Sequence, residues 1–301
     1  MRNTNLLEYI KTTADGIRKR VLQHVIDNRG GYLSQACSSA EIFASLYLQI
    51  MNIGKVSNPI IPGVFGGVPS QNNPNKSGNL FNGEKNSSTD RFILSPAQYA
   101  LVLYAALVEV GRMHPDGMLD FNKDGSTVEM IGAEHSPGME VMTGSLGQGL
   151  SQAAGIAMAR KLKKETGNVW VFMSDGEWQS GQNWEAIQAA SYHKLNNLKI
   201  IIDANGCQCD GPVTSVMKMD PFEKRLNAFG AKVFLVDGND INAILNAASF
   251  ESEDQPLVII ANTKPFQGLD ILKKRAPKFH YVRFVSEEER ENYIKALEIF
   301  S

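Results

Sequence analysis

The chain has 301 residues, 43% of them hydrophobic, and 30 Lys and Arg against 32 Asp and Glu give a formal net charge of −2. That length suits a large α/β unit with a sizeable core, and the charge gives no electrostatic case for a nucleic-acid partner. No apolar run approaches the roughly 18 residues of a membrane span, and the three cysteines, Cys37, Cys207 and Cys209, form neither a disulfide framework nor a paired zinc site.

The first stretch, MRNTNLLEYIKTTADGIRKR, is amphipathic and charged, predicting a helix over 5–28 rather than a signal peptide. The cell interior, the cytoplasm, is therefore the expected location, with the thiols as small buried side chains. A turn over 30–38 leads to a second helix over 39–52, SAEIFASLYLQIMN. Residues 53–89 are rich in Gly, Asn, Pro and Ser and too long for an ordinary connection. They read either as a mobile surface excursion or as a lid or docking loop. A strand over 90–95 and a helix over 99–111 follow. The glycine-rich run 136–150, SPGMEVMTGSLGQGL, enters the small-faced helix SQAAGIAMARKLKK. Its glycines allow close helix packing, or a tight backbone whose N–H groups face an anion.

The central unit is a strand, VWVFM (169–173), ending in Ser174-Asp175-Gly176-Glu177, then a helix, NWEAIQAASYHKL, then a strand, LKIIID (198–203), ending in Ala204-Asn205-Gly206. That is one βαβ unit. Beyond it come a helix opened by Asp220-Pro221-Phe222, a strand over 231–238, a helix near 240–250, a strand over 256–263, a loop over 264–280 and a C-terminal helix, SEEERENYIKALEIF. The expected fold is a single α/β domain over 1–301, a parallel sheet flanked by helices.

Open α/β sheets bind ligands at the carboxyl ends of their strands. Asp175 offers a carboxylate and Asn205 an amide oxygen at two such ends. Hard oxygen ligands suit Mg²⁺ or Ca²⁺, and Mg²⁺ commonly adds substrate phosphates to a few protein ligands. Gly176 lets the backbone approach a phosphate at a helix N-terminus. Taken singly, an N-capping Asp and an Asn-Gly turn also account for these pieces.

Together, Ser174-Asp175-Gly176 and the distant Asn205 resemble the thiamine diphosphate signature Gly-Asp-Gly…Asn, with Ser174 in place of the first Gly. Gly181-Gln182-Asn183-Trp184-Glu185-Ala186, Asp90-Arg91-Phe92-Ile93-Leu94-Ser95 and Thr143-Gly144-Ser145-Leu146-Gly147-Gln148-Gly149-Leu150 resemble the transketolase family in particular. The resemblance implies the diphosphate-binding fold of that family. It implies that Asp175, Asn205 and the backbone carbonyl of Cys207 ligate Mg²⁺ or Ca²⁺. Gly144 and Leu146 would orient and prop thiamine diphosphate, Gly176 and Glu177 would lie against it, and His280, in Phe279-His280, would contact diphosphate or substrate. The sequence departs from the family at three histidine positions, which read Tyr32, Gln98 and Ile131. Gln98 can hydrogen-bond but carries no charge. His135, off register beside Ile131, is either a substitute or polar surface. Ser180 stands where the family has a carboxylate linking paired sites, while Glu185 remains. His280, Gln98 and Glu185 are thus the catalytic candidates.

The resemblance is to the N-terminal half of transketolase, whose other half carries a pyrimidine-binding domain with the Glu that activates the cofactor. It implies a split enzyme: this chain with a separate partner subunit, in an α₂β₂ assembly, transferring a two-carbon unit from a ketone donor to an acceptor. Decarboxylation of a 2-oxo acid with acyl transfer to a small or carrier-bound acceptor, and a non-catalytic cofactor-binding subunit, are the alternatives.

Overall fold

The computed structural model describes residues 2–68, 70–73 and 77–300. Its centre is a sheet of β1 (Arg91–Leu94), β2 (Val169–Ser174), β3 (Leu198–Ala204), β4 (Lys232–Asp237) and β5 (Leu257–Asn262), in the order β1-β2-β3-β5-β4. Every neighbouring pair is parallel. Side chains alternate across a strand, and helices cover both faces of a parallel sheet, so β2, β3 and β5 read as continuous apolar runs. Phe92, Leu94, Trp170, Phe172, Ile201 and Ile259 pack on one face, beneath α1 (Arg2–Asp27), α2 (Leu33–Ser45), α3 (Ala100–Glu109) and α7 (Ile241–Ala248). Ile93, Val171, Met173, Ile200, Ile202 and Val258 pack on the other, beneath α4 (Gly149–Leu162), α5 (Gly181–Tyr192) and α6 (Phe222–Ala228). The last helix, α8 (Glu287–Ala296), leans on α1.

The expected elements are all present, with one boundary displaced. α2 begins at Leu33, six residues before the predicted helix, so the turn over 30–38 is mostly helical. Its polar residues read as a loop because their partners lie elsewhere in the sequence. Gln35 Nε2 donates to the His280 carbonyl at 3.1 Å, Ser38 Oγ donates to Asp203 in the sheet, and all of 33–45 is buried.

The segment 53–89 runs through a short 3₁₀ helix, Ser77–Asn82, and is anchored at its neck. Gly54 lies so close to the 83–84 backbone that a Cβ there would overlap the Glu84 nitrogen. Arg112 donates to the carbonyls of Gly54 and Phe81 at 2.9 and 3.1 Å. Further out, Phe65 N donates to the Gly125 carbonyl at 2.7 Å and Thr127 Oγ1 to that of Gly63 at 2.8 Å. Its first part therefore lies along residues 112–127, and the part from Ser77 to Asn82 along residues 134–138; residues 69 and 74–76 fall outside the described ones. No described helix is long and apolar enough to cross a membrane.

Candidate functional site

Because the strands are parallel, all their carboxyl ends share one edge of the sheet. Asp175 and Asn205 meet there. Asp175 caps the short turn Gly176–Gln179, its Oδ1 accepting from Gly176 N at 2.8 Å, while Oδ2 accepts from Gly206 N at 2.8 Å. One carboxylate thus joins the ends of β2 and β3. Asn205 Oδ1 accepts from Cys207 N at 2.9 Å, closing the turn at Gly206, whose φ is +71°. The capping Asp and the Asn-Gly turn are both real, and both sit inside the site.

Behind them lies Asp203, wholly buried. It accepts from Ser38 Oγ at 2.5 Å, Tyr99 OH at 2.7 Å and Asn205 Nδ2 at 3.2 Å, and also from Thr263 Oγ1. Asn205 Nδ2 donates as well to Tyr99 OH at 3.0 Å. Sequence reasoning missed Asp203, Tyr99, Ser38 and Thr263 as a group. The available signal was a carboxylate inside the otherwise apolar run of β3. Burial, and then the neighbouring Asp203, push the Asp175 carboxyl up to about 7. Burial also pushes Asp203 up. Neither forms an ion pair among the described residues. Two buried carboxyls side by side without a cation make a donor set that a divalent ion would relieve. The chain offers one carboxylate, one amide oxygen and the main-chain carbonyl of half-buried Cys207, with no described cluster of three His, Cys, Asp or Glu side chains. Hard oxygens of this kind, with coordination left over for phosphate, fit Mg²⁺.

Glu177 has a different position from the one expected. It is 1% exposed and walled in by protein donors. Ser95 Oγ donates to it at 2.6 Å, Ser174 N at 2.9 Å and Gly147 N at 3.4 Å. Burial pushes its carboxyl up to about 7. Glu177 ties the end of β1, the end of β2 and the loop entering α4 into one piece. That loop is tightly seated: a Cβ on Gly149 would lie 2.5 Å from Ser95 Oγ, and one on Gly147, at φ +89°, 2.7 Å from Ser180 Cβ. It presents half-buried Gly144 and, at 41% exposure, Leu146 at the surface.

His280 reaches the same edge from the far end of the chain. A two-residue antiparallel pairing of Gly30–Gly31 with Val282–Arg283 carries it there. Its Nδ1 lies 3.4 Å from Gln35 Nε2, its ring meets Tyr32 edge-on at 5.5 Å, and burial pushes it below the usual imidazole range. Gln98, half-buried on the 3₁₀ turn after β1, has no hydrogen-bond partner among the described residues. Ile131 is 58% exposed against Gly144, where a Cβ would overlap Ile131 Cγ2.

Three expectations are corrected. Glu185 is exposed on the outer side of α5, away from the residues that α5 buries, and is not gathered with Asp175 and Asn205. His135 is neither surface nor site: it is 7% exposed, with Nε2 2.8 Å from Glu129 and its ring 4.7 Å from that of Phe65. Of the thiols, Cys37 is buried, but Cys209 is exposed at the tip of the hairpin that pairs Cys207–Gln208 with Gly211–Pro212.

A family model described as "Transketolase, thiamine diphosphate binding domain" matches residues 76–269. A transketolase family protein of Sinorhizobium fredii is 40% identical over 206 residues, covering 67% of this chain and 74% of that one. One of the subunits of the apulose-4-phosphate transketolase of Actinobacillus succinogenes is 32% identical over 266 residues, 88% of this chain and 87% of that one. Human transketolase is 31% identical over 264 residues, which span 87% of this chain but 38% of the human protein. The solved transketolase of Campylobacter jejuni superposes with a TM-score of 0.73 at 20% identity, over 97% of this chain and 46% of that one.

Proposed function

The chain belongs to the transketolase family, and from that premise we propose that it is the diphosphate- and Mg²⁺-binding subunit of a two-subunit enzyme moving a two-carbon unit from a ketone donor to an acceptor. The observation that carries the reading is the Asp175 carboxylate spanning the ends of β2 and β3 beside Asp203, with no Lys, Arg or His side chain among the described residues paired to either. Asp175, Asn205 Oδ1 and the Cys207 carbonyl would hold the metal, and the metal the diphosphate. Thiamine diphosphate supplies, when bound, a nucleophilic carbon able to break and remake a bond next to a carbonyl.

The chain's own residues position and enclose. Asp203 fixes Asn205 through its amide nitrogen, while Oδ1, which accepts from Cys207 N, keeps a second lone pair for a metal. Glu177 holds the loop of Gly144 and Leu146 against β2, so the platform for the cofactor's ring is braced before anything binds. His280 and Gln98 supply hydrogen bonds to substrate; burial keeps the His280 imidazole neutral at pH 7, able both to donate and to accept.

One finding supports a separate partner: the Actinobacillus succinogenes relative, matched over 87% of its own length, bears the name of a single subunit of its enzyme. The chain spans 38% of human transketolase and 46% of the Campylobacter jejuni chain. The partner would bring the carboxylic acid that activates the cofactor. Purified chain, given thiamine diphosphate and Mg²⁺, should therefore leave the cofactor's C2 proton exchanging at the rate of free cofactor in NMR. Faster exchange without a second polypeptide contradicts the two-subunit reading.

A further inference from the structure

Tyr32 stands between two compartments. On one side is His280, whose ring it meets at 5.5 Å. On the other is Tyr281, 4.9 Å away edge-on, and with it Tyr32 lines a separate cavity of about 1070 Å³. That cavity lies between α1, the residues after α3 and the Gly30–Gly31 strap, and none of the proposed metal or diphosphate ligands lines it. His280 and Tyr281, successive residues leading into the Val282–Arg283 strand, thus face different surroundings.

The lining is of mixed character. Tyr32 and Tyr281 offer aromatic surface, and Gln23, Asn28 and Asn122 offer amides. Its charges largely cancel: of the lining cations Lys19, Arg20 and Lys123, Arg20 is held by Glu109 at 2.6 Å and Lys123 lies 3.5 Å from Asp120, which leaves Lys19 in the same space as Asp27. A phosphate or carboxylate would meet Glu109 and Asp27 as readily as the cations. A neutral polyol meets no such conflict. Amides donate to and accept from hydroxyls, and aromatic rings cover the apolar side of a sugar ring. The volume is at the upper end of the range for small-molecule sites, far more than a pentose needs.

We propose that this cavity binds the neutral, polyhydroxylated body of an extended substrate, of disaccharide size, whose carbonyl end passes Tyr32 to reach His280. The inference rests on the two-carbon-transfer reading for that carbonyl, but binding in the cavity is measurable without it.

The test is calorimetry on the full chain with maltose, cellobiose, glucose, ribose 5-phosphate and inorganic phosphate. At least one disaccharide should bind tenfold or more tighter than glucose, and neither anion should bind tighter than that disaccharide. Tyr281→Ala removes the platform, and Gln23→Trp fills the room from an exposed position on α1; each should weaken the disaccharide tenfold or more. Both variants should bind thiamine diphosphate with Mg²⁺ as the unaltered chain does, which shows that they fold. Asp175→Ala should lose the cofactor and keep the sugar, so failure of the cofactor reading is seen separately. No disaccharide binding, tighter binding of either anion, or disaccharide binding that survives both cavity variants would overturn the proposal.

Discussion

Asp175 and Glu177 stand at the end of the same strand, and burial pushes both carboxyls up to about 7. Their surroundings differ. Glu177 collects hydrogen bonds from three separate segments and faces nothing but protein. Asp175 takes only two backbone N–H groups from its neighbours, one from each of the strand ends it joins, and retains further acceptor capacity. A perturbed carboxyl is thus no sufficient mark of a ligand. The acceptor capacity left unfilled separates the proposed ligand from the residue that braces.

Substitution should split the two. Asp175→Ala should abolish measurable Mg²⁺-dependent cofactor binding, since it removes the charged group among the proposed ligands, while changing the stability of the free chain by about 1 kcal/mol or less in urea titration. Glu177→Ala should do the reverse in first effect. It strands three buried donors and should cost about 3 kcal/mol in the same titration, and Glu177→Gln should recover part of that. A Glu177→Ala chain as stable as the original would break the contrast.

Acid titration sharpens it. The ordinary values are 3.8 for Asp175 and 4.5 for Glu177, against about 7 in the fold, so the folded chain holds more protons than the unfolded one between these limits. Their contribution is fully present below about pH 4 and is lost as pH rises through 7, about 4 kcal/mol for Asp175 and about 3 kcal/mol for Glu177. Without divalent ions, stability should therefore fall between about pH 5 and 7.5. Glu177→Gln should flatten one part of that fall, and Mg²⁺ with cofactor the Asp175 part.

The candidate site was legible in the sequence as far as its residues were short-range in meaning. Asp175, Asn205 and Gly144, proposed as ligands and cofactor contacts, lie in local patterns, and the parallel sheet could be read from the apolar runs between them. The shell behind them was not legible. Ser38, Tyr99, Asp203 and Thr263 come from four elements and converge only through the sheet order. The same blindness cut α2 short, because Ser34, Gln35, Ser38 and Ser39 look like a loop until their buried partners are known. It also placed Glu177 on the cofactor, and put Glu185 with the catalytic group by motif alone, although its helix turns it to solvent. The smallest expected effect follows: Glu185→Ala should leave the stability of the isolated chain within about 0.5 kcal/mol and its cofactor affinity unchanged in calorimetry.

Cofactor binding itself tests the central claim most directly. Calorimetric titration of thiamine diphosphate into the chain, with and without Mg²⁺ and in the Asp175→Ala variant, should give binding only where both Mg²⁺ and the Asp175 carboxylate are present. Equal affinity in the variant, or full affinity after the divalent ion is removed by chelation, would contradict the assignment of Asp175 and Asn205 as the metal site.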